Sequence, residues 1–146
     1  MKNIKLSLSM LLLGLIVLTA CEKTKNITIY NVPVYEQLYL VGDATPAGWD
    51  IAKPTPMIVD PNDPFTFTWT GPLTVGNFKI PTTTGNWGCD FFMPVINDES
   101  DLTKTTIELV KGGNPDKKWK ITLAGTYKIT INILDPGPYT IKFVKQ

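Results

Sequence analysis

Phe65-Thr66-Phe67-Thr68-Trp69-Thr70, FTFTWT, is the stretch that decides the fold class. Side chains two apart on an extended chain share a face, so Phe65, Phe67 and Trp69 fall on one side and the three threonines on the other. That is a half-buried β-strand, and it places Trp69 in a core. Working outward, the same period of two recurs, carried by Thr, Val, Ile, Tyr and Phe, and no stretch keeps the 3.6-residue period of a helix. Trp119 groups with Ile121 and Leu123, opposite Lys118 and Lys120. Tyr127 groups with Ile129, Ile131 and Ile133. In NFKI, Phe78 and Ile80 point inward, so Lys79 is expected to point outward.

Strands are expected at 37–42, 56–60, 65–71, 75–81, about 89–93, 104–110, 117–123, 125–134 and 138–144. Turn signals at Asp60-Pro61-Asn62-Asp63-Pro64, Lys111-Gly112-Gly113-Asn114-Pro115 and Asp135-Pro136-Gly137 separate several of them. Short strands at this spacing predict an all-β chain folded as an immunoglobulin-like antiparallel β-sandwich.

The N-terminus reads differently. Lys2 and Lys5 precede an apolar run from Met10 to Leu18, too short to span a bilayer comfortably and typical of a signal peptide. The run closes on Leu18-Thr19-Ala20-Cys21, which resembles the lipobox of bacterial lipoproteins. On that reading residues 1–20 are removed and Cys21 is acylated, each buried methylene contributing about 0.8 kcal/mol to membrane attachment. An ordinary secretory peptide or an uncleaved anchor is the alternative. Residues 21–35 then form a tether, and 36–146 form one domain of a size that can bury a single core.

Composition excludes several chemistries. The chain has no His, which removes imidazole-based metal sites and Ser-His or Cys-His catalysis. Its formal charge is +1 and every basic residue is Lys; without Arg, bidentate phosphate recognition is missing, and no nucleic-acid partner or cofactor is expected. With Cys21 acylated, Cys89 has no disulfide partner and reads as a small packing residue. Asp98, Glu99 and Asp101 lie in a polar loop, where solvated charge outweighs a glycosidase carboxylate pair. DPNDP could ligate calcium through its oxygens, but an Asx-type turn is the reading preferred. PDKKWK reads as a solvated strand face.

Trp49 and Trp87 escape the sorting by alternation. PAGWD and TTTGNWGCD each set an indole beside Gly, with no alternating pattern to bury it. A loop Trp can fold back as a lid on the sandwich. It can also offer a flat apolar face to the C–H face of a pyranose, with amine and amide groups nearby for the hydroxyls. Lys79, Asn86 and Asp90 are the polar candidates.

LYLVGDATPAGWD, the aromatic strand ending WTGPL, then GNFKI, GNW and finally AGTYKITINI together resemble one repeat of the SusE/SusF family of starch-binding lipoproteins of Bacteroidetes. The similarity covers roughly residues 36 to 144. It implies a non-catalytic glycan-binding module with α-glucan, or another polysaccharide, as ligand, lipid-anchored at the outer membrane on the cell surface beside a glycan-importing transporter. Trp49 matches the Trp after the VGDAT turn, Lys79 the basic residue of the F-K strand and Trp87 the aromatic of the following loop. The family members carry tandem domains, so a single domain here gives up the avidity of linked sites. Two other classes remain open: a protein-interaction lipoprotein within such an uptake complex, and a hydrolase.

Overall fold

The computed structural model describes residues 35–134 and 137–146. The signal peptide, Cys21 and its acylation, nearly all of the tether, and Asp135 and Pro136 of the last turn lie outside the described residues.

The described residues form eleven strands: β1 (Tyr39–Leu40), β2 (Thr55–Pro56), β3 (Ile58–Asp60), β4 (Asp63–Leu73), β5 (Gly76–Phe78), β6 (Ile80–Pro81), β7 (Phe91–Pro94), β8 (Thr106–Val110), β9 (Trp119–Ile121), β10 (Gly125–Asn132) and β11 (Tyr139–Lys145). One 3₁₀ turn, Lys111–Gly113, stands where the KGGNP turn was expected. Seven strands make one antiparallel sheet in the order β3-β4-β10-β11-β8-β7-β6, and β1-β2 and β5-β9 pair separately. The protein is therefore all-β and β-sandwich-like.

The layers are joined by the run 76–81, which is nearly one strand. Its first half, β5, pairs with β9, and its second half, β6, pairs with β7. At the break, Lys79 bridges Val41, with N–H to carbonyl distances of 3.1 and 2.9 Å. A strand that changes partners midway turns a sheet over on itself and closes a sandwich corner.

The core follows the alternation. Phe67 and Trp69 on β4 stand opposite Ile131 and Ile129 on β10, and Ile131 in turn faces Ile141 on β11. All five are buried. Such cross-strand pairs are the unit of sheet stabilisation. Phe65 is half-buried, and Thr70 on the other face is exposed. Trp119 and Ile121 are buried as expected, whereas Leu123 is 61% exposed. The reason is that β9 ends at Ile121 and the chain turns before β10. Leu123 instead contributes its carbonyl, which accepts a 2.8 Å hydrogen bond from the Tyr127 hydroxyl.

That bond has the form of the tyrosine corner of immunoglobulin-like sandwiches, a buried Tyr tied back to the preceding bend. Tyr127 is 5% exposed. Tyr127→Phe is expected to lose about 1–2 kcal/mol of stability, because the Leu123 carbonyl loses its donor while the ring packing survives. A urea titration with unchanged slope and a lower midpoint would show it; an unchanged midpoint would mean water replaces the hydroxyl at no cost.

β7 departs from simple alternation because both of its faces are covered. Phe92 enters the main core, while Phe91 and Met93 point the other way into a second cluster with Val41, Cys89 and Val110, packed on by Ile51. The covering comes from the turn after β1 and the loop between β6 and β7. Cys89 is thus a packing residue. The same cover corrects the reading of Lys79: it does leave the strand opposite to Phe78 and Ile80, but its side chain is only 7% exposed.

Candidate functional site

The turn carrying Trp49 is built by its small residues. Gly42 adopts φ +145°, and a Cβ there would stand 2.1 Å from the Asn77 carbonyl oxygen and 2.4 Å from the Phe78 Cα. Only a residue without a side chain lets the turn press against β5. The Gly42 N–H donates to the Gly48 carbonyl at 2.7 Å, and the Thr45 amide and hydroxyl both donate to the Gly42 carbonyl at 2.8 Å. Gly48, at φ +59°, reverses the chain just before Trp49. The Asp43 carboxylate accepts from the Asn77 amide at 2.7 Å and fastens the turn to the sheet.

The second loop is pinned at its base, where the Thr82 amide and hydroxyl donate to the Asp90 carbonyl at 3.1 and 2.9 Å. At its tip Asn86 Oδ1 accepts from the Gly88 amide at 2.8 Å, an Asx turn that presents Trp87. The Gly85 amide donates to the Ile51 carbonyl at 2.7 Å, so the two loops are stitched together.

The consequence is a pair of indoles. Trp49 and Trp87 are 40% and 44% exposed, with ring centroids 6.3 Å apart and planes inclined by 42°. Trp87 in turn lies nearly parallel to the buried Phe91, at 6.3 Å and 12°. Lys79 Nζ sits 5.1 Å from the Trp87 centroid and 4.4 Å from that of Phe91, within cation–π range. Trp49, Lys79 and Trp87 are therefore brought together, though Lys79 takes another part than the expected one. Its ammonium is held from below, bonded to Asp116 Oδ1 at 2.6 Å, and it is not offered to solvent. Asp116 also accepts from Lys118 Nζ at 2.6 Å. Burial pushes the Asp116 carboxyl up, but the hydrogen bonds from Lys118 and Lys79 outweigh it and hold the group below the usual carboxylate range.

Asn86 is exposed at the rim, and its side-chain nitrogen has no protein partner among the described residues. Asp90 is committed elsewhere. Its carboxylate accepts from Lys111 Nζ at 2.8 Å and from the Gly112 amide at 3.0 Å. The Lys111 hydrogen bond, acting against burial, keeps its carboxyl below the ordinary range. It staples the 3₁₀ turn to the loop base and is spent on structure.

Asp116 is the residue that reading the sequence missed. It belongs to PDKKWK, where Asp116 and Lys120 are exposed as a solvated face requires, while Lys117 and Lys118 are half-buried and tie the segment down as a strap across β7 and β8. Lys117 pairs with Glu108 and donates to the Val95 carbonyl at 2.7 Å, while the Lys118 amide donates to Asn97 Oδ1 at 3.2 Å. The acidic loop is likewise occupied locally: Glu99 accepts from the Asp101 amide, and Asp101 from the Thr103 amide and hydroxyl. In DPNDP, Asp60 accepts from the Asn62 amide, the turn reading of that motif.

A groove of about 400 Å³ lies away from the indoles, lined by Val95, Ile96, Lys104, Thr105, Thr106 and Trp119 among others. The Trp pair itself is an open, gently angled apolar surface with an amide at its edge. Such a surface suits a flat-faced ring better than an enclosed small molecule. Comparison of the chain with protein-family models, with curated proteins and with solved structures finds no significant match.

Proposed function

We propose that this domain holds glycan chains without cleaving them, with α-glucan as the ligand, on a platform made by Trp49 and Trp87. The observation that carries the reading is the half-exposed indole pair, 6.3 Å between centroids, in two loops stitched to each other. Large apolar rings left at a surface in an ordered turn need a reason, and sugar C–H faces supply one. Asn86 contributes the hydrogen bond at the rim, and Lys79 acts from beneath the ring. The similarity to SusE/SusF repeats supports the same reading. It adds anchoring through acylated Cys21 in the outer membrane, display at the cell surface and association with a glycan transporter.

Stacking on one or two sugar units corresponds to a Kd of about 10⁻³ to 10⁻⁴ M, roughly −4 to −5.5 kcal/mol. Calorimetry with maltoheptaose on the parent, Trp49→Ala and Trp87→Ala proteins tests it. Heat from the parent that disappears in both variants is the expected result. No heat at millimolar sugar removes α-glucan, and binding indifferent to both substitutions removes the site. A second reading, a protein-interaction lipoprotein of the same uptake complex, draws on Val95 and Ile96, 49% and 58% exposed beside the groove. It takes over if binding of every glycan tested fails while a transporter component is retained.

A further inference from the structure

Lys79 is the one charged side chain buried among the described residues. Removing an ammonium from water is costly unless it is paired and bonded. Here the compensation comes from three directions: the Asp116 carboxylate at 2.6 Å, the Phe91 ring at 4.4 Å and the Trp87 ring at 5.1 Å. Asp116 reaches this position from the strap, where Lys118 holds its other oxygen at 2.6 Å. Gly113, just upstream, passes so close to Phe91 and the Trp87 carbonyl that a Cβ would stand 3.1 and 3.3 Å from them. The strap, the ammonium and the two stacked rings form one packed unit, and Trp87 is its only half-exposed aromatic ring.

We infer that Asp116 is a positioning residue for the platform: through the buried ammonium of Lys79 it sets the orientation of the Trp87 ring, and thereby ligand affinity, without touching ligand. The part concerning affinity rests on the glycan reading above; the part concerning the ring does not. The physical argument is that a cation is attracted to a ring face only along a narrow range of directions, and Asp116 fixes where that cation stands. Without the carboxylate, the ammonium gains by moving toward water, and the rings lose the charge that faces them. Lys118 then loses its partner too, but its ammonium faces no ring among the described residues.

The test uses the full chain in detergent, with Trp49→Phe as background so that Trp87 is the single half-exposed indole. Acrylamide quenching of Trp87 is compared among this parent, Asp116→Asn, Lys79→Met and the double variant, each confirmed folded by circular dichroism. Asp116→Asn is expected to change the quenching constant by about twofold and, in the Trp49-containing chain, to weaken maltoheptaose binding by about tenfold. In the Lys79→Met background the same substitution is expected to change neither, because the intermediary is gone. Unchanged quenching in Asp116→Asn overturns the inference even if thermal stability falls, as does an equal effect with and without Lys79. Should Asp116→Asn alone fail to fold, Lys79→Met against the parent decides: a ring that responds supports the clamp, and one that does not refutes it. A parent that binds no maltoheptaose refutes the glucan reading and leaves the quenching result to judge the clamp.

Discussion

Trp119→Ala is expected to lower the free energy of unfolding by about 3–5 kcal/mol. Trp119 is 1% exposed and stacks on Phe78 at 5.1 Å and 21°, with Phe143 meeting it edge-on at 6.2 Å. It also stands at the end of the short β5-β9 ladder, directly opposite Phe78. Truncation therefore empties an indole-sized space in the layer that closes the sandwich, and β9 has too few ladder bonds to hold its place otherwise. Domains of this size carry about 5–15 kcal/mol in total, so the variant should lose a large share of its stability. Urea denaturation checks it: the midpoint should fall steeply with the slope unchanged. A loss below about 1 kcal/mol would mean that the surroundings collapse into the space and that this ring is not central to the core.

Gly42→Ala is expected to cost a similar amount, about 3–5 kcal/mol, and to displace Trp49 as well. The added Cβ would overlap the backbone of Asn77 and Phe78 at 2.1 and 2.4 Å, and Phe78 is fully buried. No flexible side-chain end is available to swing aside, so the turn itself must lift from β5. Gly48→Ala is the control. Gly48 has φ +59° but nothing within 4 Å of its added Cβ, so it should cost only about 1–2 kcal/mol of left-handed strain. Stability and indole emission measured on both variants separate the two causes. Equal losses would show that backbone conformation, not the close approach to β5, makes Gly42 necessary.

Strand positions in the interior were legible because alternation is a property of the extended backbone itself. FTFTWT and the Tyr127-to-Ile133 series each place their large residues on one side whatever they pair with, and all but the half-buried Phe65 are buried. Leu123 lies two residues past the end of β9, so the period that buries Trp119 and Ile121 does not reach it. Where a strand ends depends on its partner, and β9 pairs with β5 only through Ile121.

The candidate site was legible in its members and not in its arrangement. Trp49 and Trp87 stood out because they lack alternating context, yet only the fold brings the two loops into contact, through the Gly85 to Ile51 hydrogen bond. Asn86 and Asp90 looked alike as polar neighbours of Trp87. Their fates differ because Lys111 and Gly112 happen to reach Asp90 from the 3₁₀ turn.

By itself, the sequence determined the all-β class, the faces of the longer strands and the two indoles that no strand could bury, since each of these follows from local backbone geometry or local composition. Tertiary structure alone decided that Lys79 is enclosed and that its counter-ion is Asp116. Alternation tells which side of a sheet a side chain leaves from and is silent on what covers that side. The cover comes from loops and a strap distant in sequence, and a buried charge finds its partner by position in space.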